Sequence, residues 1–159
     1  MLELNTVPET GFDAVLVADN ALPHLLSQRD LEPAAVEIAA KLKNSGIILA
    51  TLRDYDDLLS TRPTMQAPAF YEQDGKSRIV HQIWHWDGDQ YALHLYLTLR
   101  THSEWEVKHF VSRYRALRRL DLNRALQAAG FTKIQWLEPK ATSFYQPVVV
   151  AVKRGASAK

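Results

Sequence analysis

Two short apolar bursts, each running straight into polar residues, constrain the fold of this chain more than any other feature. The first is Phe12 to Ala18, followed by Asp19-Asn20-Ala21-Leu22-Pro23-His24; the second is Ile47 to Leu52, followed by Arg53-Asp54-Tyr55-Asp56. Near-continuous apolarity of this length is how a strand buried on both faces reads. Between the bursts, Leu31, Ala34, Ala35, Ile38 and Leu42 recur at helical spacing. Asp30 can cap that helix, Pro33 suits a first turn, and Asn44-Ser45-Gly46 suits a left-handed end. Strand, helix, strand with short joints predicts a βαβ unit over residues 11–57. Its two parallel strands would end side by side, with Asn20 and Arg53 at adjacent carboxyl tips, where open α/β sheets bind ligands.

The pattern then changes. Residues 61–76 carry Pro63 and Pro68 with little periodicity and read as a linker. Residues 77–115 read as an antiparallel unit: Arg78 to Trp86 and Gln90 to Leu99 alternate with period two around Asp87-Gly88, and Trp105 to Tyr114 adds a third strand. A two-residue Asp87-Gly88 turn would set Trp84 opposite Tyr91 and Val80 opposite Leu95, with Leu93, Leu97 and Leu99 on the same face. Residues 118–153 read as a helix from Arg119 to Ala129 stopped by Gly130, then two antiparallel strands, Phe131 to Leu137 and Gln146 to Lys153. The whole, residues 1–159, is expected to be one three-layer α/β domain.

Composition narrows the function classes. The net charge is +1, which offers no electrostatic footprint for nucleic acid or an anionic membrane. Arg113, Arg115, Arg118, Arg119 and Arg124 form the one basic cluster, but Asp121 lies among them and a solvated face is the expectation. The chain has no cysteine, which excludes disulfides, thiolate metal ligands and cysteine nucleophiles. No apolar run could span a bilayer as a helix, and no basic segment followed by an apolar one opens the chain, so a cytoplasmic protein is expected. The hairpin register sets His81 opposite His94, with His85 on the same face. Three imidazoles could ligate zinc, but no carboxylate or cysteine completes the set, and no metal is expected.

The order of elements and several short motifs resemble the C-terminal half of class I S-adenosylmethionine-dependent methyltransferases, of the glycine/sarcosine N-methyltransferase type. The motifs are Ala18-Asp19-Asn20-Ala21-Leu22-Pro23-His24-Leu25, Leu52-Arg53-Asp54-Tyr55-Asp56, Leu126-Gln127-Ala128-Ala129-Gly130-Phe131 and Phe144-Tyr145-Gln146-Pro147. The resemblance implies a truncated Rossmann-like sheet holding the family's strands in the order 4-5-7-6, with the antiparallel insertion as a cover over the substrate pocket. It also implies that the first strand, the glycine-rich cofactor loop and the acidic ribose ligand lie outside this sequence. The glycines present are at 11, 46, 75, 88, 130 and 155, never close enough together to cradle a ligand.

The resemblance further implies S-adenosylmethionine as the methyl donor, with Ala18, Asp19 and His24 along its methionyl end. It gives Arg53 a substrate carboxylate to grip, Asn20 the amino group or carboxylate, and Tyr55 the role of closing the pocket. No residue is singled out as catalytic, because methyl transfer from a sulfonium needs positioning more than covalent chemistry. The partner molecule would be a small carboxylate-bearing amine or amino acid. Read without the resemblance, Asn20 and Asp19 are turn residues, Arg53 belongs to a surface ion pair, and Tyr145 and Gln146 fix the turn into the last strand. Losing the family's first strand would leave an unpaired apolar edge at Phe12 to Ala18, so a homodimer, or a complex with a separate N-terminal half, is expected. The isolated chain is expected to be inactive or deficient in cofactor, or else to serve as a non-enzymatic binding or dimeric assembly module.

Overall fold

Parallel pairing of β1 (Phe12–Val17) with β2 (Leu42–Thr51) organises the first of two four-stranded sheets in this computed structural model, which describes residues 3–101 and 104–155. That sheet runs β1-β2-β8-β7, with β7 (Phe131–Leu137) and β8 (Val148–Lys153) antiparallel to each other and β8 antiparallel to β2. This is the expected 4-5-7-6 order. The second sheet runs β3-β4-β5-β6 and is antiparallel throughout: β3 Met65–Gln73, β4 Lys76–Asp87, β5 Gln90–Thr101, β6 Glu104–Arg115. Among the described residues no helix is long and apolar enough to cross a membrane.

Helix α1 (Gln28–Lys41) joins β1 to β2. Its N-cap is Ser27, not Asp30: the Ser27 hydroxyl accepts from the Asp30 N–H and donates to the Asp30 carboxylate, a reciprocal cap. The helix therefore starts earlier than the apolar spacing suggests, and Pro33 lies in its interior, on the exposed side where water can reach the freed carbonyl. Leu31, Ala34, Ala35 and Ile38 of α1 pack with Leu122, Ala125 and Leu126 of α3 (Arg119–Ala128) over Ile48, Ala50, Val149 and Ala151 of the sheet. Arg119 is not a free surface cation: it bonds Asp54 and Glu138 and lies over the Trp136 ring. Arg115 is likewise held by Asp121 and Gln28.

Both long helices cover the same sheet face, so the three-layer expectation is corrected to two layers here. The opposite face presents Ala14, Leu16, Ile47, Leu49 and Val150, all partly or fully exposed. Nor is β1 buried on both faces: Val17 alone is buried, while Leu16 is 66% and Phe12 43% exposed. The strand sits at the sheet edge with one neighbour.

Residues 65–73 of the expected linker are strand β3, paired with β4 across a register shift between Gln66 and Ala69. Pro68 falls in that irregular stretch, which breaks the alternation a sequence reading depends on. Tyr55–Thr61 is a short helix, α2, capped by Asp54. The β4–β5 turn uses Gly88 and Asp89, so Asp87 pairs with Gln90, Trp84 with Leu93 and Val80 with Leu97. Facing partners thus shift by two residues from the expected register, while the allocation of side chains to faces is unchanged. His81 faces Tyr96 rather than His94, and His94 instead lies 2.9 Å from His109 of β6, ring nitrogen to ring nitrogen. No group of three metal-ligating side chains has metal-site geometry among the described residues.

Candidate functional site

The tips of β1 and β2 are tied together by Thr51 and Asn20. Asp19 and Asn20 both adopt left-handed backbone conformations, with φ of 55° and 63°, a strained pair for residues with side chains. The turn is held because the Asp19 N–H donates to the Thr51 hydroxyl at 2.8 Å and the Asn20 N–H to the Thr51 carbonyl at 3.1 Å. Asn20 is turned inward and is 5% exposed. Its Oδ1 accepts from the Arg53 N–H at 3.2 Å and lies 3.0 Å from the Tyr55 hydroxyl, to which Nδ2 donates at 2.7 Å. Both acceptor sites of the carboxamide oxygen are occupied by protein, which leaves a single N–H of the side chain for any ligand. The resemblance gives Asn20 a grip on substrate through its amide; here most of that amide is engaged in joining the strand tips.

Arg53 and Asn20 are nonetheless neighbours, as parallel pairing requires. The Arg53 guanidinium lies 4.5 Å over the Trp84 ring and donates to Gln82 Oε1 at 3.2 Å, so strand β4 of the second sheet sets its direction. Tyr55, the first residue of α2, is buried, and its hydroxyl lies 2.9 Å from that of Tyr91. Tyr91 is the hub of an aromatic wall: its ring is 4.9 Å from Trp84, 4.8 Å from Trp86 and 5.3 Å from Tyr114. His24, in the 3-10 turn Leu22–His24, is exposed and rests 4.2 Å from the Tyr114 ring. Ala18 and Asp19 are exposed at the β1 tip, and the Tyr145 hydroxyl donates to Asp19 Oδ1 at 2.9 Å.

Burial pushes the Tyr55, Tyr91 and Tyr114 hydroxyls above the ordinary tyrosine value, Tyr55 furthest, with the neighbouring Tyr91 adding to the effect. These phenols stay protonated at neutral pH and serve as hydrogen-bonding groups, not as bases. The site therefore combines one guanidinium stacked on Trp84, a packed aromatic cluster centred on the buried Tyr91, and neutral hydroxyls. Sequence reasoning misses Tyr91 and Tyr114 as wall residues and Gln82 as the residue that orients Arg53. Alternation on the Trp84 face is the signal that could have found the two tyrosines.

A sulfonium cofactor finds only part of its site here. At the β1 tip the Asp19 and Asn20 N–H groups are both taken by Thr51, and the exposed Asp19 carboxylate accepts from Tyr145 through Oδ1. No glycine-rich cradle for a nucleoside is present among the described residues: the positive-φ glycines Gly11, Gly75, Gly88 and Gly130 are far apart in the chain, and the last three serve hairpin turns and a helix end.

No protein-family model matches this chain. Among curated proteins it is similar to a glycine/sarcosine/dimethylglycine N-methyltransferase from Actinopolyspora halophila, 27% identical over 131 residues, covering 82% of this chain and 21% of that protein. It is also similar to a glycine/sarcosine N-methyltransferase from Parasynechococcus marenigrum, 44% identical over 48 residues, covering 30% of this chain and 17% of that one. The match thus spans about a fifth of these relatives' length. Among solved structures, Streptomyces venezuelae DesVI superposes with a TM-score of 0.77 at 16% identity, over 91% of this chain and 59% of its own. An amino pentose methyltransferase from Micromonospora echinaspora superposes with a TM-score of 0.71 at 15% identity, over 91% and 59%. The chain is homologous to a segment of glycine/sarcosine N-methyltransferases and has the α/β fold of S-adenosylmethionine-dependent methyltransferases.

Proposed function

We propose that this chain is the acceptor-binding portion of a small-molecule N-methyltransferase. Arg53 anchors a carboxylate of the amine to be methylated, and the aromatic wall over the strand tips dehydrates its amino group. The observation that carries this reading is the placing of Arg53: its backbone is fixed to the β1 tip through Asn20, and its guanidinium is laid on Trp84 and aimed by Gln82. Methyl transfer is an in-line displacement, so holding an amine lone pair in one direction in a dry site supplies much of the acceleration. Tyr55 and Tyr91, kept neutral by burial, fix the wall without competing as bases.

S-adenosylmethionine, when bound, supplies the methyl group as a sulfonium. The residues of this chain that would touch it are Ala18, Asp19 and His24, at its amino-acid end. Because no described residue cradles the nucleoside, the isolated chain is expected to bind the donor weakly and to lack activity. Calorimetric titration with S-adenosylmethionine, S-adenosylhomocysteine, glycine and sarcosine tests this. Weak or absent binding of the first two with measurable binding of the small carboxylates is the expected result; indifference to all four would overturn the reading.

The bare sheet face supports a second element, obligatory association. Parallel strands are almost always covered on both sides, yet Leu16, Ile47, Leu49 and Val150 are uncovered and the outer edge of β1 is unpaired. The occupant would be a second copy, forming a homodimer, or an N-terminal cofactor-binding half. Were association its sole function, the chain would be an assembly module without a ligand. Sedimentation at high concentration distinguishes these: self-association reversed by Leu16→Lys is expected for the homodimer, and a monodisperse monomer would exclude it.

A further inference from the structure

The two edges of the antiparallel sheet are built differently. At one edge, β3 carries Pro68 within a register shift between Gln66 and Ala69. Proline and irregular pairing both keep an edge from accepting a further strand. At the other edge, β6 has neither: Glu104–Arg115 contains no proline and pairs with β5 in unbroken register. Residues 104–111 are all exposed, Trp105, Val107, Phe110 and Val111 by half or more. The outer N–H and C=O groups of this strand face no neighbour in the sheet, which makes them a template for another strand. The charges on β6 say which strand. Glu106 and Lys108 flank Val107 and pair with each other at 3.8 Å. Two copies laid antiparallel about a two-fold axis at Val107 set Glu106 of each opposite Lys108 of the other, so that four charges alternate in sign around a square. Moving the axis by one residue sets Lys108 against Lys108 or Glu106 against Glu106, and like charges directly opposite are destabilising. An interface between identical copies must be complementary to itself, and this segment is.

We propose that β6 is an interface at which two copies of this chain pair edge to edge, antiparallel about Val107, joining two four-stranded sheets into one continuous sheet. On one face Val107 meets its counterpart, and Trp105 lies opposite His109 of the other copy. On the other face the Glu106–Lys108 square fixes the register. Pairing gives the unpaired main-chain groups of both strands their partners and removes one open edge from each sheet. A single strand pair is a small interface, so the dimer is weak and concentration-dependent. This contact is separate from the bare face of the first sheet around Leu16, and it does not depend on the carboxylate reading of Arg53.

Sedimentation of the whole chain in a Leu16→Lys background removes association through the other sheet and isolates this contact. A dimer should persist there at high protein concentration. Glu106→Lys or Lys108→Glu alone should raise its dissociation constant roughly tenfold or more, because attraction becomes repulsion at two symmetric positions. The two substitutions together should restore it. Both side chains are exposed, so the melting temperature of the monomer should hardly move. Val107→Cys checks the axis in a chain that otherwise has no cysteine. Facing its own counterpart across paired strands, it should give a disulfide-linked dimer when oxidised with diamide. Val111→Cys, nearly as exposed on the same strand but far from its counterpart in this register, should not. A monomer at every concentration, a dimer indifferent to the single charge reversals, no recovery in the double variant, or equal cross-linking at the two positions would overturn the pairing.

Discussion

Asn20 and Tyr55 hold each other from both sides of one carboxamide: Nδ2 donates to the phenol at 2.7 Å, and Oδ1 lies 3.0 Å from the same oxygen. The pair is buried and joins the end of β1 to the start of α2. Through the Tyr55–Tyr91 contact at 2.9 Å it also reaches strand β5. Three segments distant in sequence thus meet at one phenol. A chain that keeps Arg53 aimed at a ligand needs such a joint, because the guanidinium and the wall beneath it come from different sheets.

Tyr55→Phe removes the joint while keeping the ring. The Asn20 amide then loses a donor and an acceptor partner in a buried site, which should cost about 1–3 kcal/mol of stability. Urea unfolding of Tyr55→Phe, Asn20→Ala and the double variant measures it. Because each residue is the other's partner, the double variant should lose clearly less than the sum of the singles. Additive losses would mean that the two side chains act independently.

Alkaline pH should unfold the protein sooner than an ordinary α/β domain. Burial raises the Tyr55 and Tyr91 hydroxyls above their value in an unfolded chain. The sign follows from proton counts: above about pH 10 the unfolded state releases protons that the folded state keeps, so stability is fully present below that pH and is lost as pH rises through the folded values. Each such tyrosine contributes a slope of about −1.4 kcal/mol per pH unit in that window. Stability measured from about pH 8 to about pH 11 should be flat and then fall, and Tyr91→Phe should make the fall shallower. Tyrosinate absorbance should show part of the six tyrosines ionising only with unfolding.

How much of this site is legible in the chain depends on what each residue's neighbours are. The two strand tips can be read, because an apolar run followed by polar residues is a local signal, and parallel pairing then places Asn20 beside Arg53 without further information. The faces of the hairpin can be read from alternation, which places Trp84 and Tyr91 on one side even with the partners shifted by two. What cannot be read is direction. Asn20 carries a ligand-type amide, but Tyr55 and the Arg53 N–H claim it, and those contacts depend on the left-handed turn at Asp19 and Asn20. Strand β3 is hidden because its irregular register around Pro68 disrupts the period that would reveal it.

Arg53→Lys separates charge from shape. Lysine keeps the cation but loses the planar fork that stacks on Trp84 and could grip a carboxylate at two points. Binding of small carboxylates should weaken roughly tenfold or more, while the melting temperature should move little, because the Arg53 side chain is only half-buried and its backbone bond to Asn20 survives. Calorimetry and a thermal melt on the same preparation check both halves. A large loss of stability with unchanged affinity would make Arg53 a structural residue.

Gly46 sets how closely β1 and β2 approach at their seam. It lies where the pairing shifts register, from Phe12 opposite Leu42 to Ala14 opposite Ile47. A Cβ at that position would sit 3.0 Å from the Lys43 carbonyl oxygen, 3.1 Å from that of Phe12 and 3.2 Å from that of Asp13. All three are main-chain atoms, two of them on β1, so no flexible side chain can move aside and the backbone at the seam must give by a few tenths of an ångström. Gly46→Ala should therefore destabilise by about 1–3 kcal/mol, the range for forcing atoms into a packed site, against a total of about 5–15 kcal/mol for a domain. The loss should be uneven. The strain begins at the seam, so amide exchange in β1 should accelerate well before that in β4 and β5 of the other sheet. Carboxylate binding should fall as well, since the β1 tip that carries Asn20 also holds the Arg53 backbone. Uniform acceleration across both sheets would place the strain elsewhere.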